Sequence, residues 1–511
     1  MLIAPPSVAG RGHAAARGHA TGRCHTVRAP FGLALRRARR APSRPRPRRR
    51  AVTVPLAVAL AATAARLPRW LPDMVTALRM RIYASINGED VVTLPGERGD
   101  EAFLRVYRHP AADGRSRGAA LSDLFWYWLS PGAEVHQEHI ERGARYDRVA
   151  RTTRAILALP AGEVERRVQG CVTRVLDEHA RPGARIVRAR DLMMPVWAEL
   201  SYELVFGEPC PAHARDLIVA NADDVVTALK CCGLRHMGRR DRLTRFLIDR
   251  IHAGDTVHDL PDDLTVREQA LYLQGVFFNT AVVQSSEAMA HLLMVAAHHP
   301  EAQRRLVVDD DGYTDRFIDE TLRLFPLFGI AHRITTDDID IAAHDTLPAG
   351  SVVCFNYPEY HHHGVDDPAA FDPDRWLRHP RREVNHIPFG VAANRPCPAA
   401  RVAPVGLRVV LREILRRYAV ASTAAHTRSL PNRGPVVLVD RASPGPAWRV
   451  RLLLASLRAR DRWEAVPRSL TQLVLGTYMV WDARRLGLCR RYFAVHPEAA
   501  PAPPEPAPSE A

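Results

Sequence analysis

PFGVAANRPCPA, Pro388–Ala399, is the stretch on which the reading of this chain turns. Pro388, Pro396 and Pro398 make it a stiff loop, and a helical pattern, Val402–Tyr418, follows directly. A cysteine held on a rigid loop before a helix meets free backbone N–H groups and the positive end of the helix dipole. Both favour its thiolate, the form that ligates metals. Cys397 stands at such a place, and none of the other seven cysteines (24, 171, 210, 231, 232, 354 and 489) does. None pairs as CxxC. In so long a chain they read as reduced core residues in a cytoplasmic compartment, not as a disulfide framework.

Working back from that loop, Phe371-Asp-Pro-Asp-Arg375-Trp376 is a Pro/Asp-rich loop, and Glu320-Thr-Leu-Arg323 places an acid and a base on one helical face. The latter pair lies in a predicted helix, Thr314–Phe325, beside Leu322, Leu324 and Phe325, so burial as an ionic network with Arg375 is expected. Between them fall short strand-like pieces: His332–Thr335, Ile339–Ala342 and Ser351–Phe355, with Val436–Val439 later. Further back, Thr265–His299 opens on the capping box Thr265-x-x-Glu268 and has no internal proline. It is apolar on nearly every side yet carries Gln274, Asn279, Gln284, Ser285, Ser286 and Glu287. A central core helix with a polar notch is expected, since lipid would not tolerate that cluster. From Ala119 to Pro300 the periodicity is largely helical, with segments at Leu121–Leu129, Asp147–Leu159, Val164–His179 and Arg190–Phe206.

The formal charge of +15 suggests nucleic acid until its location is considered. Residues 1–50 hold 13 Arg and no acid, residues 443–511 carry +4, and residues 51–442 come to −2. The body is almost neutral, and one Lys against 70 Arg points to coding bias more than to a polyanion partner. No nucleic-acid partner is expected. The organisation expected is a disordered Arg-rich leader (1–50), a catalytic domain (51–442) and a C-terminal extension (443–511) with a disordered Ala/Pro tail. Val52–Ala65 is apolar for 14 residues, short of the roughly 20 that a membrane span needs. It reads as a helix packing on the body or lying at a membrane surface, with a secretory signal as the alternative. In the extension, Leu470–Trp481 is apolar and Arg484, Arg485, Arg490 and Arg491 follow, so a helix docking on the body, a partner or anionic lipid is expected.

Glu320-x-x-Arg323, Phe371-x-Pro-x-Arg375-Trp376 and Phe389-Gly390…Arg395-x-Cys397, with Ser285 35 residues before Glu320, resemble the cytochrome P450 family in order and gaps over about residues 70–440. The resemblance implies a mainly α fold with a small β subdomain, and haem b (iron protoporphyrin IX) with Cys397 as axial ligand of the iron. It places Phe389 in the cofactor loop and Arg395 and Arg333 at the propionates. A third cation should come from the helix Tyr146–Arg154, where Arg148 and Arg151 both qualify. Glu320, Arg323 and Arg375 become the structural network under the haem, and Ser285 with Gln284 the distal relay. The implied activity is insertion of one oxygen atom from O2 into a small organic substrate, in natural-product tailoring. The chain shows no flavin fingerprint and no iron–sulfur spacing, so electrons come from a partner, for which the family implies a ferredoxin. Three departures stand out: the ligand loop is one residue longer, Ala399 replaces a glycine, and Gln284 replaces an acid. Glutamine can order water but cannot titrate. Peroxide-driven or non-oxygenating chemistry, and a non-catalytic haem sensor, are therefore the alternatives. His361-His362-His363 cannot aim three consecutive rings at one ion and is expected in a solvent-side loop.

Overall fold

The computed structural model describes residues 50–499, apart from 89, 116–118, 309–311 and 343. The leader and the tail beyond 499 lie outside the described residues. From Pro68 onward the chain forms one compact unit; a second unit ends at Leu67. The helix α1 (Arg50–Asn87) opens the described region. Then come α2 (Gly99–Arg108), α3 (Ala120–Leu129), α4 (Ala144–Ile156) and α5 (Ala161–Glu178). Next are α6 (Ala189–Phe206), α7 (Ala212–Leu229), α8 (Met237–His252), α9 (Val266–Gly275) and α10 (Val282–His298). After these run α11 (Pro300–Val308), α12 (Tyr313–Leu324), α13 (Tyr357–His362) and α14 (Arg375–Arg378). The last three are α15 (Ala403–Arg417), α16 (Ala447–Leu486) and α17 (Leu488–Val495).

Small sheets complete a mainly α fold. In one, β1 (Val91–Leu94) runs parallel to β6 (Val352–Asn356), which pairs antiparallel with β3 (Ile330–Ile334). In another, β8 (Pro435–Asp440) lies antiparallel between β2 (Ala184–Arg188) and β7 (Tyr418–Ala421). A hairpin joins β4 (Ile339–Ala342) to β5 (Asp345–Leu347).

The capping box forms as expected: Thr265 Oγ1 accepts from Glu268 N, and Glu268 accepts from Thr265 N at 2.9 Å. The helix that it opens is not continuous. A π turn, Val276–Ala281, separates α9 from α10, and widened turns of this kind recur at functional sites. Beyond it, Ser286–Ala297 of α10 is buried throughout, which accounts for the absence of a polar face in its sequence. Gly406 lets α15 approach α6 closely, since a Cβ there would lie 3.0 Å from the Trp197 ring.

One expectation about exposure is corrected. His361 is not in a solvent-side loop but fully buried, its Nε2 accepting from Ile387 N at 3.1 Å, while His363 pairs with Asp100 at 2.7 Å. Residues 443–499 dock on the body: Met479, Val480 and Ala483 of α16 are buried against Tyr83, Leu124 and Trp128. In α17, Arg490 pairs with the fully buried Asp123 at 2.7 Å.

Candidate haem-thiolate site

Cys397 lines a cavity of about 220 Å³ that is partly open to solvent. The loop around the cysteine is fixed by its backbone. Cys397 N donates to Phe389 O at 2.9 Å, and Ala400 N donates back to Cys397 O at 3.2 Å. Gly390 (φ 74°) and Arg395 (φ 47°) take left-handed conformations, an uncommon one for a non-glycine residue. The sequence supplies glycine at the first, where a Cβ would press on the Tyr107 hydroxyl at 3.2 Å. Burial pushes the Cys397 thiol up to about 11, opposed by a hydrogen bond from the Ala399 N–H. The thiolate therefore needs a cation in the cavity.

Phe389, Arg333 and Arg395 line the same cavity, and so do Gln284 and Ser285 from the start of α10. Gln284 is not absorbed in helix packing. The acid nearest to it in sequence, Glu287, is withdrawn elsewhere: it accepts from Arg190 at 2.8 Å and from Lys230, the only lysine of the chain, at 2.6 Å. Burial pushes this carboxyl up, but the two cations hold it below the ordinary range.

Arg148 and Arg151 are brought to a different place. Arg148 reaches outward to Asp263 at 2.8 Å, and Arg151 is exposed. Behind the cavity lining, beside Arg333 and Arg395, lies Arg115, a residue that the sequence did not single out because no periodicity or motif surrounds it. It is 2% exposed, and burial with the adjacent Arg333 and Arg395 pushes it down to about 9. Asp113 sits 2.7 Å from Arg395 Nε and 3.5 Å from Arg115 Nη2. Even so, Arg115 Nη2, Arg333 Nε and Arg395 Nη2 are buried without a hydrogen-bond partner. Glu138 approaches Arg115 at 3.6 Å; burial raises its carboxyl, and Arg115, Arg333, His136 and Arg395 hold it low nonetheless. Buried guanidiniums with spare donors, Arg333 and Arg395 on the cavity wall and Arg115 behind them, fit a ligand that carries carboxylates.

The ionic network beneath is complete. Glu320 and Arg323 are both 0% exposed, joined by two hydrogen bonds of 2.8 and 3.0 Å. Arg323 also donates to the carbonyls of Pro368 (2.9 Å) and Ala370 (3.2 Å). Arg375 stands 3.6 Å from Glu320 and donates to Asp366 O at 2.6 Å.

A family model described as Cytochrome P450 matches residues 234–444, a segment that includes the network, both halves of the notch and the cysteine loop. Over residues 234–444 the chain matches the cytochrome P450 family. The Mycobacterium tuberculosis protein named cytochrome P450 135B1 is 35% identical over 139 residues, 25% of this chain and 29% of that protein. Pentalenene oxygenase of Streptomyces avermitilis is 30% identical over 157 residues, 27% of this chain and 33% of that protein. The match thus spans about a third of these curated relatives' length. The solved structure of retinoic-acid-bound cyanobacterial CYP120A1 superposes with a TM-score of 0.54 at 16% identity, covering 69% of this chain and 89% of that one, and shows the cytochrome P450 fold. Members of that family bind haem b, and the residues of this site fit it. Cys397 would hold the iron, while Arg333 and Arg395 would take the propionates, with Arg115 behind them.

Proposed function

We propose that this chain is a cytochrome P450 monooxygenase that inserts one oxygen atom from O2 into an apolar small molecule. The observation that carries the reading is that Cys397, Ser285 and Gln284 line one largely apolar cavity. When bound, the haem supplies the iron centre at which O2 is activated. The protein's own part is narrower. Ser285 holds a hydroxyl proton toward the cavity, Gln284 orders water there without titrating, and walls such as Leu200, Phe277 and Leu327 exclude bulk solvent. Electrons are supplied by a ferredoxin-type partner. Natural-product tailoring is supported by the names of two Streptomyces relatives, pentalenene oxygenase and cyclooctat-9-en-7-ol 5-monooxygenase. The test is the spectrum of the reduced, carbon-monoxide-bound protein, followed by turnover of a terpenoid library with a ferredoxin system. A thiolate-type red-shifted Soret band with product formation is expected; the band without any turnover would leave a haem sensor. Gln284 on the cavity wall and Glu287 clamped outside it favour one second reading, peroxide-driven chemistry. Turnover with hydrogen peroxide but not with reduced ferredoxin and O2 would establish it.

The proline after the ligand has its own consequence. Pro398 cannot donate an N–H toward the sulfur, so Ala399 supplies the donor there. Hydrogen bonds to a ligating sulfur draw off its charge and raise the iron's potential. Pro398→Leu, which adds an N–H, is expected to raise the haem reduction potential. A redox titration showing an unchanged or lowered value would make Pro398 purely a stiffener of the loop.

For its surroundings, we infer a peripheral contact with anionic lipid. Among the described residues, no helix is long and apolar enough to cross a membrane. Yet α16 exposes Leu470, Val474, Tyr478 and Trp481 as one stripe opposite its buried Met479 and Ala483 face, and α1 exposes Trp70, Met74 and Leu78. The exposed Arg485 and Arg81 continue the two stripes, a pairing of aromatic and basic side chains suited to an interface. The intact chain is expected to sediment with phosphatidylglycerol vesicles and not with phosphatidylcholine vesicles. The double change Val474→Ser and Trp481→Ser should abolish this without altering circular dichroism. Unchanged sedimentation would remove the lipid contact.

A further inference from the structure

The break in the long helix faces a histidine. His136, 4% exposed, places its Nε2 2.9 Å from Thr280 Oγ1 within the π turn, and both residues line the cavity that holds Cys397, Gln284 and Ser285. The approach is built in. Gly275 has no side chain where a Cβ would lie 2.8 Å from the His136 ring, so any other residue there would displace the imidazole.

The hydrogen bonds around the ring fix the direction of the proton. Glu138 N donates to His136 Nδ1 at 3.2 Å, so Nδ1 is the acceptor and the ring proton lies on Nε2. Burial pushes the imidazole down, with Glu138 and the Gly275 carbonyl opposing, which keeps it neutral at neutral pH. Nε2–H faces Thr280 Oγ1 at 2.9 Å, with the Gly275 carbonyl as a second acceptor beside it. Where Oγ1 accepts from the imidazole, the hydroxyl keeps its own hydrogen to donate. Val276, Phe277, Ala281 and Leu204 add apolar wall, while Gln137, Glu138 and Gln284 line the same cavity.

We propose that the His136–Thr280 pair is a substrate anchor, a hydroxyl donor oriented by the imidazole that selects apolar molecules bearing one acceptor oxygen, such as a ketone. This rests on the reading of the cavity as a substrate-oxidising site. Thr280 touches the ligand, and His136 acts through it as a positioning residue.

The test compares trans-1-decalone with trans-decalin, an acceptor oxygen on or off the same skeleton. Their binding to the full chain is measured by equilibrium dialysis, after the carbon-monoxide spectrum of the same preparation has been recorded. The ketone should bind about tenfold more tightly than the hydrocarbon, the scale of one well-made hydrogen bond. Thr280→Val and His136→Phe should each bring the ratio close to one with decalin affinity unchanged, and Thr280→Ser should keep the preference. A purely structural role for the pair would weaken both probes together. Equal affinities in the unmodified protein, or a ratio that survives Thr280→Val, overturns the anchor. Absence of the red-shifted band overturns the oxidising site instead, and the dialysis result still decides the anchor.

Discussion

Cys397→Ser is expected to leave no thiolate-type band in the reduced, carbon-monoxide-bound spectrum. Serine's hydroxyl is far less acidic than a thiol, so it cannot provide the charged donor that gives that band. Among the described residues, no other cysteine lines the cavity. Cys171 packs by Glu203 and Arg174, Cys231 accepts from Tyr83, Cys354 lies in β6 and Cys489 in α17. The loss should be complete rather than partial, and it should occur in folded protein. The loop's shape comes from Cys397 N donating to Phe389 O and from Ala400 N donating to Cys397 O, bonds that do not involve the side chain. Unchanged circular dichroism with the band gone is the expected result. A Cys397→Ser protein that keeps the band would remove the residue from the ligand position and the family reading of the site with it.

How far the sequence discloses this site depends on whether a residue's task is local. Cys397, Glu320 and Arg323 are legible because their partners lie a few residues away, on one turn or one stiff loop. The capping box at Thr265 is legible for the same reason. The π turn is not: Val276–Ala281 contains no proline, and its contact with His136 comes from a distant loop. The cation beside Arg333 and Arg395 is a case of the same kind. Arg148 and Arg151 lie on the helix to which the family resemblance points, but the sequence does not disclose that Asp263 draws Arg148 outward. Arg115 sits in GRSRG, a segment with no pattern, and its burial arises from packing against Arg333, Arg395 and Asp113 from elsewhere in the chain. His361 reads as polar loop because its buried partner, the Ile387 amide, belongs to the cysteine loop's approach.

That last contact shows why the network under the site should govern cofactor loading. Arg323 donates to the carbonyl of His361 at 3.4 Å, and the His361 ring accepts from Ile387 N, one residue before Pro388. It also ties down Pro368 and Ala370, while Asp372 N donates to Glu320 at 3.2 Å. One buried pair thus positions both the Asp-rich loop and the entry to the ligand loop. Arg323→Ala strands the Glu320 carboxylate with Arg375 at 3.6 Å as its remaining cation and leaves three carbonyls without their donor. Glu320→Ala strands the Arg323 charge in the same way. Removing one member of a buried pair costs about 3–5 kcal/mol, a large share of the roughly 5–15 kcal/mol that holds a typical domain folded. Arg323→Lys should fare little better, because a single ammonium cannot serve two carboxylate oxygens and three carbonyls in one plane. Each variant is expected to purify with a haem-to-protein ratio several-fold below that of the unmodified chain and with a lowered melting temperature. The fraction that does load should keep the red-shifted carbon-monoxide band, since Cys397 is untouched; this separates a support from a ligand. Normal haem content in both Glu320→Ala and Arg323→Ala would mean that the loops are held by their own backbone bonds and that the pair contributes nothing to the site.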